Sequence, residues 1–174
     1  LDNSRLRCYF NVSIGTDITH AELMAHHHAV IYAVGASKSR QLGVSGETLP
    51  GHCAAADFVG WYNGHPDHAD HSFDLSSERA VIIGNGNVSL DIARVLLSPL
   101  ESLAGTDIAD HALEARRDSA VREVVIVARR GPRHAAFSVG EFMALGLLPD
   151  VDVIVDTADL APDPDEGIET ATQL

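Results

Sequence analysis

Thiol, membrane-spanning length and positive charge are what this chain has little of, and each shortage closes off a class of function. Cys8 and Cys53 are the 2 cysteines in 174 residues. They stand far apart and form no Cys-x-x-Cys pair, so neither a redox dithiol nor an iron–sulfur cluster is encoded. Two thiols without a disulfide framework suit a reducing cytosol. No apolar run approaches the length of a membrane span and no signal peptide is visible, so a cytoplasmic protein with no membrane partner is expected. The formal net charge of −13 argues against nucleic acid as a partner. Internal repeats and low-complexity blocks are also missing. What is left, 45% hydrophobic and 21% charged residues, reads as a globular domain with a proper core. The chain opens at Leu1 almost directly in a strand pattern, as a piece of something longer would.

What is present centres on residues 80–91, Ala-Val-Ile-Ile-Gly-Asn-Gly-Asn-Val-Ser-Leu-Asp. A short, branched apolar run into Gly84-Asn85-Gly86 reads as a buried parallel strand. Beyond it, Val88, Ile92, Val95 and Leu96 fall at helical spacing. The glycines therefore sit at a strand-to-helix turn. Backbone N–H groups at a helix start carry partial positive charge, and a dinucleotide pyrophosphate binds there. On this reading Gly84 permits the tight turn. Gly86 removes a side chain that would block the phosphate and is a candidate for positive φ. Ser89 stands where a third glycine is common, small enough for helix and strand to lie close. The plainer alternative is a tight turn with no ligand.

Around this unit, residues 6–14 and 29–36 read as strands. Thr19-His-Ala-Glu22 has the spacing of a capping box and opens a short helix to about His27. Residues 54–62 suit a helical turn or two, and 63–77 a polar loop. Ser98 and Pro99 end the helix that follows the glycines. Residues 107–118 form another helix, acidic at its start and basic at its end, as the helix dipole favours. Residues 121–128 read as a strand, 138–147 as a helix and 151–156 as a further strand. The tail from Asp159, with Pro162 and Pro164, reads as loose. Strands alternating with helices imply an α/β fold, a Rossmann-like parallel sheet with flanking helices.

The second chemical signal is Arg129-Arg130. At the end of the second strand of a dinucleotide fold, an acid accepts from the ribose 2′-hydroxyl of NAD. Two guanidinium groups there instead suit the 2′-phosphate of NADP, through charge-assisted hydrogen bonds. The spacing from the glycines is longer than the usual ~20 residues, so the helix at 107–118 must be an insertion in the crossover. The alternative is that both arginines simply face water. Of the other arginines in this basic cluster, Arg116 and Arg117 read as a solvated helix end. Glu141 lies on the next helix. It either closes a capping box with Ser138, or pairs with the arginines, or touches the adenosine ribose. His65, His68 and His71 have ligand spacing, but in a polar loop with no second cluster. No metal is expected there.

These residues carry a resemblance. Asn11-Val-Ser-Ile-Gly15, residues 29–36, Phe58-Val-Gly-Trp-Tyr-Asn63, residues 84–91, Thr106-Asp-Ile-Ala-Asp-His-Ala-Leu113 and Arg129-Arg-Gly-Pro132 are together similar to the bacterial adrenodoxin-reductase-like ferredoxin–NADP reductases. The family shares the long insertion. The resemblance implies that residues 1–36 are a tail segment of an FAD-binding domain. It makes 37–174 the connector and the NADP-binding domain, incomplete at its C-terminus. It assigns Asn85, Gly86, Asn87 and Val88, beside Gly84, to the pyrophosphate and neighbouring ribose, and Arg129 and Arg130 to the 2′-phosphate. Glu141 falls at the same adenosine end, and Val12 in a segment that contacts FAD. The implied activity is hydride transfer from NADPH to FAD, then single electrons to a ferredoxin. The FAD fingerprint Gly-x-Gly-x-x-Gly is missing, and a Glu common in relatives is Ala144 here. Two other readings stand beside this one. One is a stand-alone, non-catalytic NADP-binding module. The other is the equivalent segment of a glutamate-synthase-small-subunit-like flavoprotein.

Overall fold

A parallel strand pair with a long helical crossover is the frame of this computed structural model. In chain order the elements are α1 (His20–His26), α2 (Ala55–Tyr62), β1 (Arg79–Ile83), α3 (Asn87–Leu97), α4 (Leu100–Ala104), α5 (Asp110–Arg117), β2 (Glu123–Val127) and α6 (Val139–Gly146). Short 3₁₀ turns add Pro66–His68 and Pro132–His134. The structure describes residues 5–35, 39–129 and 131–155, with Arg133 in its backbone only. Backbone contacts divide the chain into two units, Leu1–Ser37 and Lys38–Leu174.

In the second unit β1 and β2 pair in parallel, Arg79 opposite Glu123 and Ile83 opposite Val127. Parallel strands need a crossover of a dozen residues or more, and α3, α4 and α5 supply it. Ala80 and Ile82 turn toward the helices, while Arg79, Val81 and Ile83 stay exposed. One face of the pair thus carries the core. Along α3, Ile92 and Leu96 join Phe58, Trp61 and Tyr62 of α2, Ala112 of α5 and Val121 in one buried cluster. Leu90 and Ala93 face the other way, onto Leu145 of α6. Each fully buried large apolar side chain contributes roughly 1.5–3 kcal/mol. Val88, expected on the apolar stripe, is 51% exposed, because the buried face of α3 runs through Ser89 and Leu90 instead.

Arg116 overturns the expectation of a solvated helix end. It is buried, and its Nε and Nη2 donate to the carbonyls of Val95 (3.0 Å) and Ser98 (3.3 Å), satisfying the C-terminal end of α3. Burial, and then the charge of Arg122, lowers its pKa. Arg117 is exposed, as expected. Pro99 ends α3 but also opens α4, a helix the sequence reading omits, since proline suits a helix start as well as a stop.

The first unit is built differently. Its capping box is complete: Thr19 Oγ1 accepts from the Glu22 N–H, and Glu22 Oε2 accepts from the Thr19 N–H. The strands expected at 6–14 and 29–36 are absent among the described residues, where the only pairing is the isolated bridge Ile14–Ile18. A strand needs a neighbour for its N–H and C=O groups, and none of the described residues supplies one. Tyr9, Phe10, Ile31 and Val34 are accordingly exposed. The strand expected at 151–156 fails likewise over 151–155, and Asp156 and the tail lie outside the described residues.

Candidate functional site

Gly84 sits at φ +129, where side chains are rarely tolerated, and its N–H donates to the Val127 carbonyl at 2.8 Å, one step past the ladder. A Cβ there would meet Ser89 Oγ at 3.4 Å. The role expected of Ser89 therefore holds: it is buried and small where the turn comes close. Gly86 corrects an expectation. Its φ of −96 and ψ of 178 suit any residue, and a Cβ on it would meet nothing within 4 Å. The positive φ belongs to Gly84, which makes the turn. The protein's own packing gives no reason for a glycine at 86, whereas a group approaching from the open side does.

Gly86 is the N-cap of α3. No side chain caps this helix, and its first turn holds no acid. The positive end of this 11-residue helix thus carries neither a side-chain cap nor a neutralising acid. Asn85 and Gly86 are half-buried there, and Asn87 and Val88 are exposed.

The segment after β2 is stitched to this turn. The Ala136 N–H donates to the Asn85 carbonyl at 3.1 Å, Gly86 and Ala136 form a parallel bridge, and the Ser138 N–H donates to Asn87 Oδ1 at 2.6 Å. Asn87 therefore holds the start of α6 with its side-chain oxygen, a tie that no local pattern announces. Arg129 follows β2 at the same edge of the pair as the glycine turn, exposed and in no ion pair among the described residues. Arg130 lies outside the described residues.

The capping box expected at 138–141 is half made. Ser138 Oγ accepts from the Glu141 N–H at 3.3 Å, but the Glu141 carboxylate turns to Arg94, 3.8 Å away. Arg94 also pairs with Asp91, whose other oxygen accepts from the Tyr62 hydroxyl at 2.5 Å. A polar chain Tyr62–Asp91–Arg94–Glu141 thus ties α2, α3 and α6 together. Arg94 Nε is buried in it without a hydrogen-bond partner. Burial, and then the hydrogen bond to Asp91, pushes the Tyr62 phenol well above its ordinary pKa. The sequence reading missed this chain. Its one local signal is Asp91 and Arg94 at i,i+3 spacing.

A nucleotide pyrophosphate fits the bare start of α3. Among the described residues of the first unit a flavin pyrophosphate finds no such place. Val12 is there, 46% exposed, but among those residues no glycine turn opens a helix, and α1 closes its own start with Thr19 and Glu22.

No protein-family model matches the chain. It is 58% identical over 155 residues to the probable ferredoxin/ferredoxin–NADP reductase of Mycobacterium tuberculosis, covering 89% of this chain and 27% of that protein. It is 50% identical over 145 residues to the mitochondrial NADPH:adrenodoxin oxidoreductase of Salvelinus fontinalis, covering 82% of this chain and 29% of that protein. Among solved structures it matches Mycobacterium tuberculosis FprA in complex with NADPH with a TM-score of 0.77 and 55% identity, over 86% of this chain and 33% of the other. The chain thus spans about a third of the relatives it matches. The resemblance read from the sequence is shown: over most of its length the chain is similar to ferredoxin–NADP reductases, and with them it shares the α/β, Rossmann-like fold class. No helix among the described residues is long and apolar enough to cross a membrane.

Proposed function

We propose that this chain is the NADP(H)-binding portion of a flavin-dependent ferredoxin–NADP reductase, a cytoplasmic oxidoreductase when whole. The observation that carries this reading is the uncapped, glycine-opened start of α3, stitched to the segment that follows β2. Gly84 sets the turn, Gly86 leaves the approach clear, and the N–H groups of Asn87 and Val88, beside Asn85, face the pyrophosphate. Arg129 and Arg130 take the 2′-phosphate, each charge-assisted hydrogen bond worth roughly 1.5–3 kcal/mol before screening. Glu141, held by Arg94, fixes the helix at the adenosine end. Bound there, the nicotinamide cofactor supplies a hydride, which in a whole reductase passes to FAD and leaves as single electrons to a ferredoxin.

Residues 1–36 are assigned to an FAD-binding domain and 37–174 to the connector and NADP domain. The residues present do not hold FAD by themselves, so the chain as given binds NADP and remains colourless. Titration with NADP and NAD, alongside the visible spectrum, tests the reading. Tighter NADP binding at low salt, with the gap narrowing as salt rises, supports it. Equal affinities at every salt concentration overturn it. Bound FAD with NADPH-dependent dye reduction would overturn the division of labour between the two units.

A further inference from the structure

We propose that Asp57, His68 and His71 bind a divalent transition-metal ion of borderline softness, zinc above others. Asp57 lies in the first turn of α2, and His68 closes the Pro66–His68 turn. One ligand atom from each of the three residues lies within 4.8 Å of the other two. Asp57 Oδ1 and His68 Nδ1 stand 3.6 Å apart. That is too long for a hydrogen bond. It is close to the edge, about 3.4 Å, of a tetrahedron whose metal–ligand bonds are about 2.0–2.1 Å.

The second observation is His68 Nδ1 itself, buried and without a hydrogen-bond partner. A buried ring nitrogen left unpaired is unfavourable, and coordination removes the deficit. The ring is also firmly seated. A Cβ on residue 60 would stand 2.2 Å from His68 Cδ2, so the ring occupies space that exists because residue 60 is glycine. The His71 ring meets it edge-on, centroids 5.2 Å apart. His65 is not part of the group whose ligand atoms converge, and its Nδ1 is engaged by the Asp67 N–H at 3.2 Å.

Two imidazoles and a carboxylate form a three-ligand set that leaves a fourth position for water, a known zinc arrangement. Calcium and magnesium prefer oxygen alone, and copper(I) prefers sulfur. The histidine spacing in a polar loop gives no reason to expect a metal. Folding adds what spacing lacks, a carboxylate from α2 and a buried nitrogen aimed at it. An ion here pins the 63–77 loop to α2, just ahead of β1.

Cobalt(II) titration of the 174-residue protein, followed by visible d–d absorption and reversed with zinc, tests this. Intense tetrahedral-type bands saturating at a single equivalent are expected. His71→Ala removes an exposed ligand, so it serves as the main variant, with Asp57→Asn and His68→Ala beside it. Each should weaken cobalt binding by more than about 100-fold, beyond the 10–100-fold that outer-shell changes cause. NADP binding should persist in each as the check on folding. His65→Ala, and the joint replacement of His26, His27 and His28 by Ala, should leave the bands unchanged. Absence of bands in the parent protein overturns the proposal. So does their survival in His71→Ala, or their loss with the 26–28 histidines.

Discussion

The starts of α1 and α3 treat their first amides in opposite ways. α1 uses them at home: Thr19 accepts from one, and Glu22 reaches back to another and adds a negative charge. α3 has no side chain on its own, behind a glycine, and no acid in its first turn. α3 is held by the core on two sides, whereas α1 buries no residue and depends on its capping box. A helix start that satisfies itself has nothing left for an anion. One that relies on packing does. The same contrast separates residues 29–34 from 80–83. Both are apolar and branched, but the second run has β2 beside it, and among the described residues the first has no partner strand, its Tyr32 meeting only His20 of α1.

The sharpest way to break this contrast is Gly86→Val. Its Cβ meets nothing of the protein, so stability should change by no more than about 1 kcal/mol, the scale of an N-cap effect. NADP affinity should fall by about 100-fold or more, close to 3 kcal/mol, by calorimetry. Unchanged NADP binding means that the bare start of α3 is not the phosphate site. Arg129→Ala should cost about 10- to 150-fold in NADP affinity at low salt and little in NAD affinity, the equivalent of one charge-assisted bond.

Gly84→Ala sharpens the difference between the two glycines. With φ at +129, it should destabilise the second unit by about 1–3 kcal/mol, read by denaturant unfolding. Thr19→Ala should cost the first unit about 1 kcal/mol and leave NADP affinity untouched. The smallest effect is on pH. The hydrogen bond from the Thr19 N–H, and then that from its hydroxyl, hold Glu22 below the usual carboxylate range. Its support for α1 is therefore complete above that range and is lost as pH falls through the lowered folded value. Helical circular dichroism should drop on acidification, and Glu22→Gln should flatten the drop.

Local chemistry was legible and long-range satisfaction was not. The glycine turn, the Thr19–Glu22 box, Ser138 as an N-cap and the basic end of α5 all depend on residues a few positions apart. The strand pair at 79–83 and 123–127 was readable because both runs are short, apolar and set at the right places around a helix. The expected strands at 6–14 and 29–36 have the same composition, but composition does not contain a pairing partner. Arg116 looked solvated because its partners are backbone carbonyls of α3, which no side-chain pattern reveals. For Glu141 the local pattern leaves a cap, Arg129–Arg130 and the adenosine ribose all open. Its ion pair with Arg94 depends on how α6 crosses α3. For Asn87 the sequence suggests a ligand contact and says nothing of the tie that its side-chain oxygen makes to the Ser138 N–H.

That tie has a consequence for how the molecule can vary. The gap between the glycine turn and the segment after β2 is gauged by the β1–β2 register and by the Asn85–Ala136 and Asn87–Ser138 hydrogen bonds. The length of chain between α3 and β2 is not the ruler. Residues 104–107, the exposed link between α4 and α5, take no part in that gauge, so the link can lengthen while the calibration of the two edges stays the same. A variant with the 104–107 link lengthened by a few glycines should keep its nucleotide preference, whereas a one-residue slip in the 131–138 segment should throw that gauge out of true.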